Sequence, residues 1–233
     1  MRSRLSTAVT LARGPSLPIV ASNVLAAIAL AGAAPAASTI ALACAAMLVL
    51  YVSGCLLDDA FDRELDRLQH PARPIPAGDA RAAFVFDLGF VLLGAGVALV
   101  AVAALATGAG ARPVVSAVAL ATLVVFYVSN HHGNRWAPVL LGLCRAGVYT
   151  TVALLVRRDL CAEVVVGAAL AAAYLVALAS TARVKGALGA GLALLDALLA
   201  ALLGRTDLAL ASLGCFAVAL ALHAALRDHG TKM

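Results

Sequence analysis

The sequence predicts an all-α, polytopic transmembrane bundle of about eight helices. Hydrophobic residues make up 64% of the 233 residues and charged residues only 12%, and the mean hydropathy is +1.01. A soluble domain of this length needs far more charge to cover its surface. Most apolar stretches approach the ~20 residues that a helix needs to cross a bilayer, and the strict apolar–polar alternation of membrane strands is absent.

Eight membrane spans are predicted within a single domain, 1–233, and the breaks between them fall at proline, glycine and charge clusters. The spans are 16–35, 38–57, 83–107, 112–129, 137–156, 161–180, 187–204 and 208–226. The first span has an alternative interpretation as a signal peptide, because Arg2 and Arg4 precede the apolar run. Its length, and Asn23 within it, favour a membrane span.

Lysine and arginine predict the orientation of the bundle, because they are enriched on the cytoplasmic side of membrane proteins. The face that carries the N-terminus holds twelve of them, namely Arg2, Arg4, Arg13, Arg63, Arg67, Arg73, Arg81, Arg135, Arg183, Lys185, Arg227 and Lys232. The opposite face holds Arg112, Arg157, Arg158 and Arg205. Both termini are therefore predicted to be cytoplasmic, in a bacterial inner membrane. These flanking charges explain the net charge of +5 without a nucleic-acid partner.

An acidic segment, residues 58–66, follows the second span directly and holds five of the twelve acidic residues of the chain. Asp58, Asp62 and Asp66 are spaced at i, i+4 and i+8, which stacks them on one helical face with Asp59 beside them. Like charges at this spacing repel unless a cation neutralises them, and Mg²⁺ combines carboxylates with phosphate oxygens. A solvated helix end balanced by neighbouring arginines is the alternative, but acidic clusters at the end of an apolar span are costly and usually functional.

Three prolines follow within six residues and predict a stiff, extended connector at 71–76. This connector would hold His70 and Arg73 near the carboxylates. Arg73 could then donate two hydrogen bonds to a phosphate.

Two further polar sites lie in or beside the later spans. Arg145 falls well inside an apolar run, where a buried arginine usually faces a cavity or a partner, and Asp196 is either that partner or a cavity residue by itself. His131 and His132 form a candidate metal pair. Adjacent helical residues diverge by ~100°, so a loop position near the lipid headgroups is favoured.

Taken together, these residues resemble the UbiA superfamily of intramembrane prenyltransferases. The first signature of that family is Asn-Asp-x-x-Asp-x-x-x-Asp followed by Arg-Pro-x-Pro-x-Gly, and the matching residues are Asp58 (in place of Asn), Asp59, Asp62, Asp66, Arg73, Pro74, Pro76 and Gly78. Weaker similarities extend along most of the chain, at Arg13, Asn23, Tyr127, Pro138 and Gly142. The basic pair that the family has before its fifth helix is replaced by the region around His131, His132 and Arg135.

The resemblance implies a bundle around a central cavity in which Mg²⁺ bridges an isoprenyl diphosphate. Asp59, Asp62, Asp66 and Arg73 would be catalytic. The metal would be bound by Asp58, Asp59, Asp62 and Asp66. His70, Arg73, Arg183 and Lys185 would bind the diphosphate, and Asn23, Tyr127, Arg145 and Asp196 would line the cavity. An acceptor that the sequence does not specify, together with membrane lipids, completes the expected partners.

One departure from the family pattern is pronounced, because a second Asp-rich motif is missing. Residues 171–195 contain no Asp or Glu, and the corresponding loop carries Arg183 and Lys185 instead. Two explanations fit: these two cations bind the diphosphate directly, or catalysis is lost and only binding remains. Bacterial members similar to the EboC group of secondary-metabolite clusters share this feature.

The leading hypothesis is therefore Mg²⁺-dependent transfer of an isoprenyl group to an acceptor within the membrane. The alternative is a catalytically impaired protein that binds or transports an isoprenoid or lipid-like metabolite. A CDP-alcohol phosphotransferase is disfavoured, because the Asp-Gly-x-x-Ala-Arg motif is absent.

Overall fold

The computed structural model describes residues 3–180 and 187–230, and these ranges are helical with no strand. The α-helices are α1 (Arg4–Leu11), α2 (Leu17–Leu30), α3 (Ala37–Phe61), α4 (Arg63–Gln69), α5 (Ala82–Thr107), α6 (Arg112–Asn130), α7 (Ala137–Arg157), α8 (Ala162–Ser180), α9 (Ala187–Leu202) and α10 (Thr206–Gly230). A 3₁₀ turn, Gly14–Ser16, joins α1 to α2.

The chain is a multi-pass integral membrane protein. Among the described helices, α3, α5, α6, α7, α8 and α10 are long and apolar enough to cross a bilayer, and α1 with α2 forms a pair that passes the same criterion but is bent by 49°. Helices are present at all eight predicted positions. The helix at the seventh position, α9, is shorter than the membrane span predicted there. Its apolar part, Gly189–Leu202, is only ~21 Å long at 1.5 Å per residue. A bilayer core is ~30 Å thick, so α9 spans the bundle interior only in part.

Helix α2 lies at the centre of the bundle and packs against α3, α7, α8, α9 and α10. Val20, Val24, Ala27 and Ile28 are almost completely buried in it. Small side chains on this helix allow its neighbours to approach closely. Removal of α2 as a signal peptide would leave five other helices without their shared packing surface.

The arginines on the face opposite the acidic segment have a structural role. Arg157 donates a hydrogen bond to the carbonyl oxygen of Ala31 at 3.0 Å, and Arg205 donates to that of Ala33 at 2.7 Å, just beyond the end of α2. Arg158 donates in the same way to the last turn of α5. Carbonyl groups at helix C-termini lack helical partners and attract cations. These arginines therefore cap the C-terminal ends of helices, which explains their presence on the face that carries fewer basic residues.

Replacing Gly142 with alanine should lower thermal stability. A Cβ atom there would lie 2.9 Å from the carbonyl oxygen of Ala172, so α7 and α8 would have to separate. Overpacking of this kind costs about 1–3 kcal/mol. The measurement is the midpoint of thermal unfolding in detergent by circular dichroism.

Gly94→Ala in α5 is the matched control, because a Cβ atom there meets nothing within 4 Å and alanine favours the helix. A midpoint for Gly142→Ala that equals or exceeds that of Gly94→Ala would contradict the close packing of α7 on α8.

Candidate functional site

The four aspartates of the acidic segment are buried at one end of the bundle. The chain continues from α3 into α4 through Asp62, and the helical hydrogen bonds persist across this junction. Asp62 donates its backbone N–H to the carbonyl of Asp58 at 2.9 Å, and Asp66 donates to that of Asp62 at 2.8 Å. Asp58, Asp62 and Asp66 therefore follow one helical register, as their spacing predicts.

Two arginines from distant parts of the chain neutralise this cluster in part. Arg13 forms a hydrogen-bonded ion pair with Asp58 and lies 3.6 Å from Asp59. Arg73 donates to both carboxylate oxygens of Asp66, at 2.7 and 2.8 Å, and lies 3.8 Å from Asp59. Asp59 thus lies between two guanidinium groups.

The backbone at Arg13 has a left-handed conformation, with a φ of 47°. This conformation is uncommon for residues other than glycine. It lies at the junction between α1 and the 3₁₀ turn, where the chain bends by 49° toward α2. Arg13 therefore pairs with Asp58 from a backbone conformation that residues other than glycine rarely adopt.

The connector after α4 is non-helical, as predicted, but it is not extended. Residues 71–79 form consecutive turns, in which Arg73 N–H donates to His70 at 2.9 Å and Asp79 N–H donates to Pro74 at 2.9 Å. The fixed φ of proline suits turns as well as extended chain, and Gly78 supplies the positive φ of 79°. The turns direct Arg73 inward. His70 is exposed, and its side chain makes no hydrogen bond or ion pair with the described residues.

His131 and His132 lie directly against the acidic segment. The Nε2 atom of His132 is 2.6 Å from Asp62 Oδ1, and that of His131 is 3.4 Å from Asp62 Oδ2 and 3.8 Å from Asp58 Oδ1. Burial favours a protonated Asp62, but the two imidazoles outweigh it and lower the pKa of this carboxyl group. The hydrogen bond with Asp62, opposed by burial, raises the pKa of His131.

The loop position predicted for the histidines is correct, but the argument that their side chains diverge fails. Helix α6 ends at Asn130, so His131 is its C-cap residue and His132 lies beyond the helix. Their ring centroids lie 3.9 Å apart. The pair faces the carboxylates instead of the lipid headgroups.

A cavity of about 200 Å³ extends from the acidic segment into the bundle. Arg13 and Asp58 lie in its wall, as do the predicted cavity residues Tyr127 and Arg145. The remaining wall is mainly apolar and includes Val20, Met47, Leu50, Leu120, Val124, Val128, Leu141 and Val148. A polar end with an apolar interior suits a ligand that has a charged head and a hydrocarbon tail.

Behind this cavity, a buried polar network joins α2, α7 and α9. Asp196 accepts hydrogen bonds from Ser22 Oγ at 2.6 Å, from Asn23 Nδ2 at 2.7 Å and from the Tyr149 hydroxyl. Arg145 donates to the carbonyl oxygen of the Asn23 side chain. Asn23 therefore bridges Arg145 and Asp196, which are not directly bonded. Arg145 lines the cavity, whereas Asn23 and Asp196 anchor it from behind.

The comparisons with known proteins give one structural match. No family model and no curated protein matches the sequence. A solved structure described as digeranylgeranylglyceryl phosphate synthase in membranes, a UbiA-superfamily intramembrane prenyltransferase, superposes with a TM-score of 0.61. The match covers 97% of this chain and 88% of that chain, at 15% sequence identity. This chain has the UbiA fold.

The UbiA fold brings together most, but not all, of the residues singled out from the sequence. The four aspartates and Arg73 form one cluster, and Tyr127 and Arg145 line the adjoining cavity. His70 stays outside that cluster. Arg183 and Lys185 lie outside the described residues.

Sequence reasoning missed two members of the buried network, Ser22 and Tyr149. Tyr149 follows Arg145 by four residues and so shares its face of α7, which was a usable signal. Ser22 had no such signal, since a serine in a membrane helix usually bonds its own backbone, as this one also does with Ile19 at 2.8 Å.

Asp196→Ala should destabilise the UbiA fold, because in a buried region Ser22 and Asn23 would each lose one of two acceptors and Tyr149 would lose its acceptor. Unsatisfied buried polar groups cost about 1–3 kcal/mol each, and interhelical hydrogen bonds in membranes average less, so a total loss of about 2 kcal/mol is expected. Unfolding in detergent measures this loss.

Ser212→Ala is the matched control. The Ser212 hydroxyl is also buried but has no hydrogen-bond partner in the described part of the chain. Its removal should be neutral or slightly stabilising. Equal effects of the two substitutions would argue against a stabilising role for the Asp196 network.

Proposed function

We propose that this chain is a Mg²⁺-dependent prenyltransferase, which moves an isoprenyl group from its diphosphate to an acceptor within the membrane. One observation carries the proposal: a cluster of buried carboxylates and two arginines adjoins an apolar cavity, with Asp58 and Arg13 in the cavity wall, in a chain with the UbiA fold. The charged end suits a metal–diphosphate group, and the apolar interior suits an isoprenoid tail.

The donor set at the acidic segment fits Mg²⁺. Asp58 Oδ1 is completely buried and has no hydrogen-bond partner among the described residues. Within the described part of the chain, Asp59 makes only the longer ion-pair contacts with Arg13 and Arg73. Mg²⁺ takes oxygen ligands and commonly shares one or two carboxylates with phosphate oxygens. Asp58, Asp59 and Asp62 would hold the ion, and Asp66, with both oxygens bonded to Arg73, would join only if that guanidinium moved.

The cations around the cluster support diphosphate binding. Arg13 and Arg73 are each part exposed, with 44% and 38% of the side chain accessible, so each has donors left for a ligand. Arginine binds phosphate oxygens through parallel N–H groups. We assign the same role to Arg183 and Lys185 on charge alone, and to His70 only if the connector rearranges.

The reaction would break the bond between the allylic carbon and the diphosphate oxygen, and the electron pair would leave with the diphosphate. Bound Mg²⁺ would supply charge neutralisation for that leaving group. Arg13 and Arg73 would stabilise the same negative charge from fixed positions. The apolar cavity wall would exclude water from the allylic cation, so that the acceptor attacks its carbon and then loses a proton.

The arrangement also supports a cytoplasmic active site. The acidic segment and the basic N-terminal side share one end of the bundle, where the excess of lysine and arginine lies. The charged diphosphate would then enter from the cytoplasm, while the isoprenoid tail would reach the cavity from the lipid.

A carrier that binds an isoprenoid or lipid-like metabolite is the second candidate. The absence of Asp and Glu from 171–195 favours it, as do the ion pairs that already occupy Asp58 and Asp66. Such a carrier would bind the diphosphate but leave its carbon–oxygen bond intact.

Diphosphate release tests the proposal. The purified chain in nanodiscs is offered geranyl, farnesyl and geranylgeranyl diphosphates with Mg²⁺ and a panel of acceptors. Asp59→Asn should reduce release about 100-fold, since a preorganised charge at a reacting group contributes on this scale. Glu64→Gln is the matched control, because Glu64 is exposed and forms ion pairs with Arg63 and Arg67 at the surface.

Equal release by the Asp59→Asn and Glu64→Gln variants would remove Asp59 from the reaction. Mg²⁺-dependent binding without release by the unmodified chain would favour the carrier. The absence of both diphosphate binding and diphosphate release would overturn the assignment of the acidic segment as a diphosphate site.

A further inference from the structure

Two imidazoles and one carboxylate converge at the edge of the acidic segment. The ligand atoms of Asp62, His131 and His132 all lie within 4.8 Å of one another. Both histidines direct Nε2 toward Asp62, one at each carboxylate oxygen. Two adjacent imidazole rings that face one carboxylate are not expected in a charge cluster that binds no ligand.

The hydrogen bonding of His131 leaves Nε2 available as a ligand. Its Nδ1 atom lies 3.2 Å from the carbonyl oxygen of Val128, which can only accept, so Nδ1 carries the proton. A metal ion that displaces the proton between Nε2 and Asp62 would then meet the Nε2 lone pair on the side of Asp62. A backbone carbonyl in this role fixes the tautomer and orientation of many metal-binding histidines. Tyr127 stacks on the same ring at 5.2 Å and restricts its rotation.

A fourth candidate ligand atom, a carboxylate oxygen, lies beside the three converging groups. Asp58 Oδ1 lies 3.8 Å from His131 Nε2, is buried, and has no hydrogen-bond partner in the ranges that the structure describes. The other oxygen of Asp58 binds Arg13. The carboxylate is thus held in place by one oxygen while the second points toward the histidines without a partner, although an unsatisfied buried acceptor is costly.

We propose that Asp62, His131 and His132, with Asp58 Oδ1 beside them, bind one divalent transition-metal ion. Imidazole nitrogen suits zinc, iron, cobalt, nickel and copper, whereas Mg²⁺ takes oxygen ligands almost exclusively. Two histidines and one carboxylate are three protein ligands, which leave a fourth position open on a tetrahedral ion, as catalytic sites require. A diphosphate oxygen would occupy one of them.

This inference rests on the proposed function only in sharing Asp58 and Asp62 with the proposed diphosphate site. Metal binding requires no isoprenyl diphosphate and no transfer. Asp58 and Asp62 cannot hold both ions at once, so the transition-metal ion would take the place of Mg²⁺ at these two residues.

Cobalt titration tests the site directly. The full chain, purified in detergent without a polyhistidine tag and stripped with a chelator, is titrated with Co²⁺ while the visible ligand-field absorption is followed. One Co²⁺ per chain should bind and should resist displacement by a large excess of Mg²⁺. Pulsed electron paramagnetic resonance on the Cu²⁺-loaded chain should show coupling to imidazole nitrogen.

His132→Gln should weaken Co²⁺ binding more than about 100-fold, since loss of a ligand exceeds the 10- to 100-fold cost of losing its outer partner. His132 is half-exposed, so its replacement should leave the bundle folded. His131→Gln should have the same effect, and size-exclusion chromatography checks its folding. His223→Gln is the matched control, because His223 bonds the backbone of its own helix at 2.8 Å.

Three results would overturn the metal site: no stoichiometric Co²⁺ binding, binding that both glutamine variants retain, or ready displacement of Co²⁺ by Mg²⁺. Diphosphate release with Mg²⁺ and no Co²⁺ binding would remove the metal site and keep the transferase. Co²⁺ binding without any diphosphate release would keep the metal site and remove the transferase.

Discussion

The burial of four carboxylates at one end of a membrane bundle is the constraint on which the rest of the site depends. Unpaired charges in a region of low dielectric are costly, so each of these groups needs a cation, a donor or a metal. The chain supplies them from three separate elements: Arg13 before α2, Arg73 in the connector after α4, and the histidines after α6. The acidic segment thereby fixes the positions of the N-terminal junction, the connector and the α6–α7 turn relative to one another.

A second constraint acts inside the membrane. Asp196 lies on α9, whose apolar part is too short to cross the bilayer by itself, and it accepts hydrogen bonds from α2 and α7. Because lipid offers no partner for such a group, the network can only form within the protein, and it ties a short helix to the centre of the bundle. The same network holds Arg145 at the cavity wall through Asn23. Stability and the polarity of the cavity therefore depend on one set of side chains.

Much of this architecture could be predicted, and the failures have physical causes. The membrane helices follow from the length and apolarity of the spans, and the stacking of Asp58, Asp62 and Asp66 follows from helical spacing. The connector was mispredicted because proline fixes φ but leaves ψ free to choose between turn and extended chain. The divergence of the His131 and His132 side chains was predicted wrongly because the angle between them depends on where α6 ends. The ends of helices are the least certain part of a sequence-based prediction. Contacts such as Asn23 with Tyr149 join residues far apart in sequence, for which one sequence provides no signal.

Charge balance links the two proposals. Among the groups of the cluster, four carboxylates face two guanidinium groups, Arg13 and Arg73, which leaves two negative charges uncompensated when both imidazoles are neutral. One divalent cation carries that charge, so an ion shared by Asp58, Asp62 and the histidines would neutralise the cluster without a second acidic motif. Neutral nitrogen ligands add coordination but no further negative charge. A diphosphate that then approaches would meet a neutral metal centre flanked by arginines, instead of the repulsion of a fully acidic pocket.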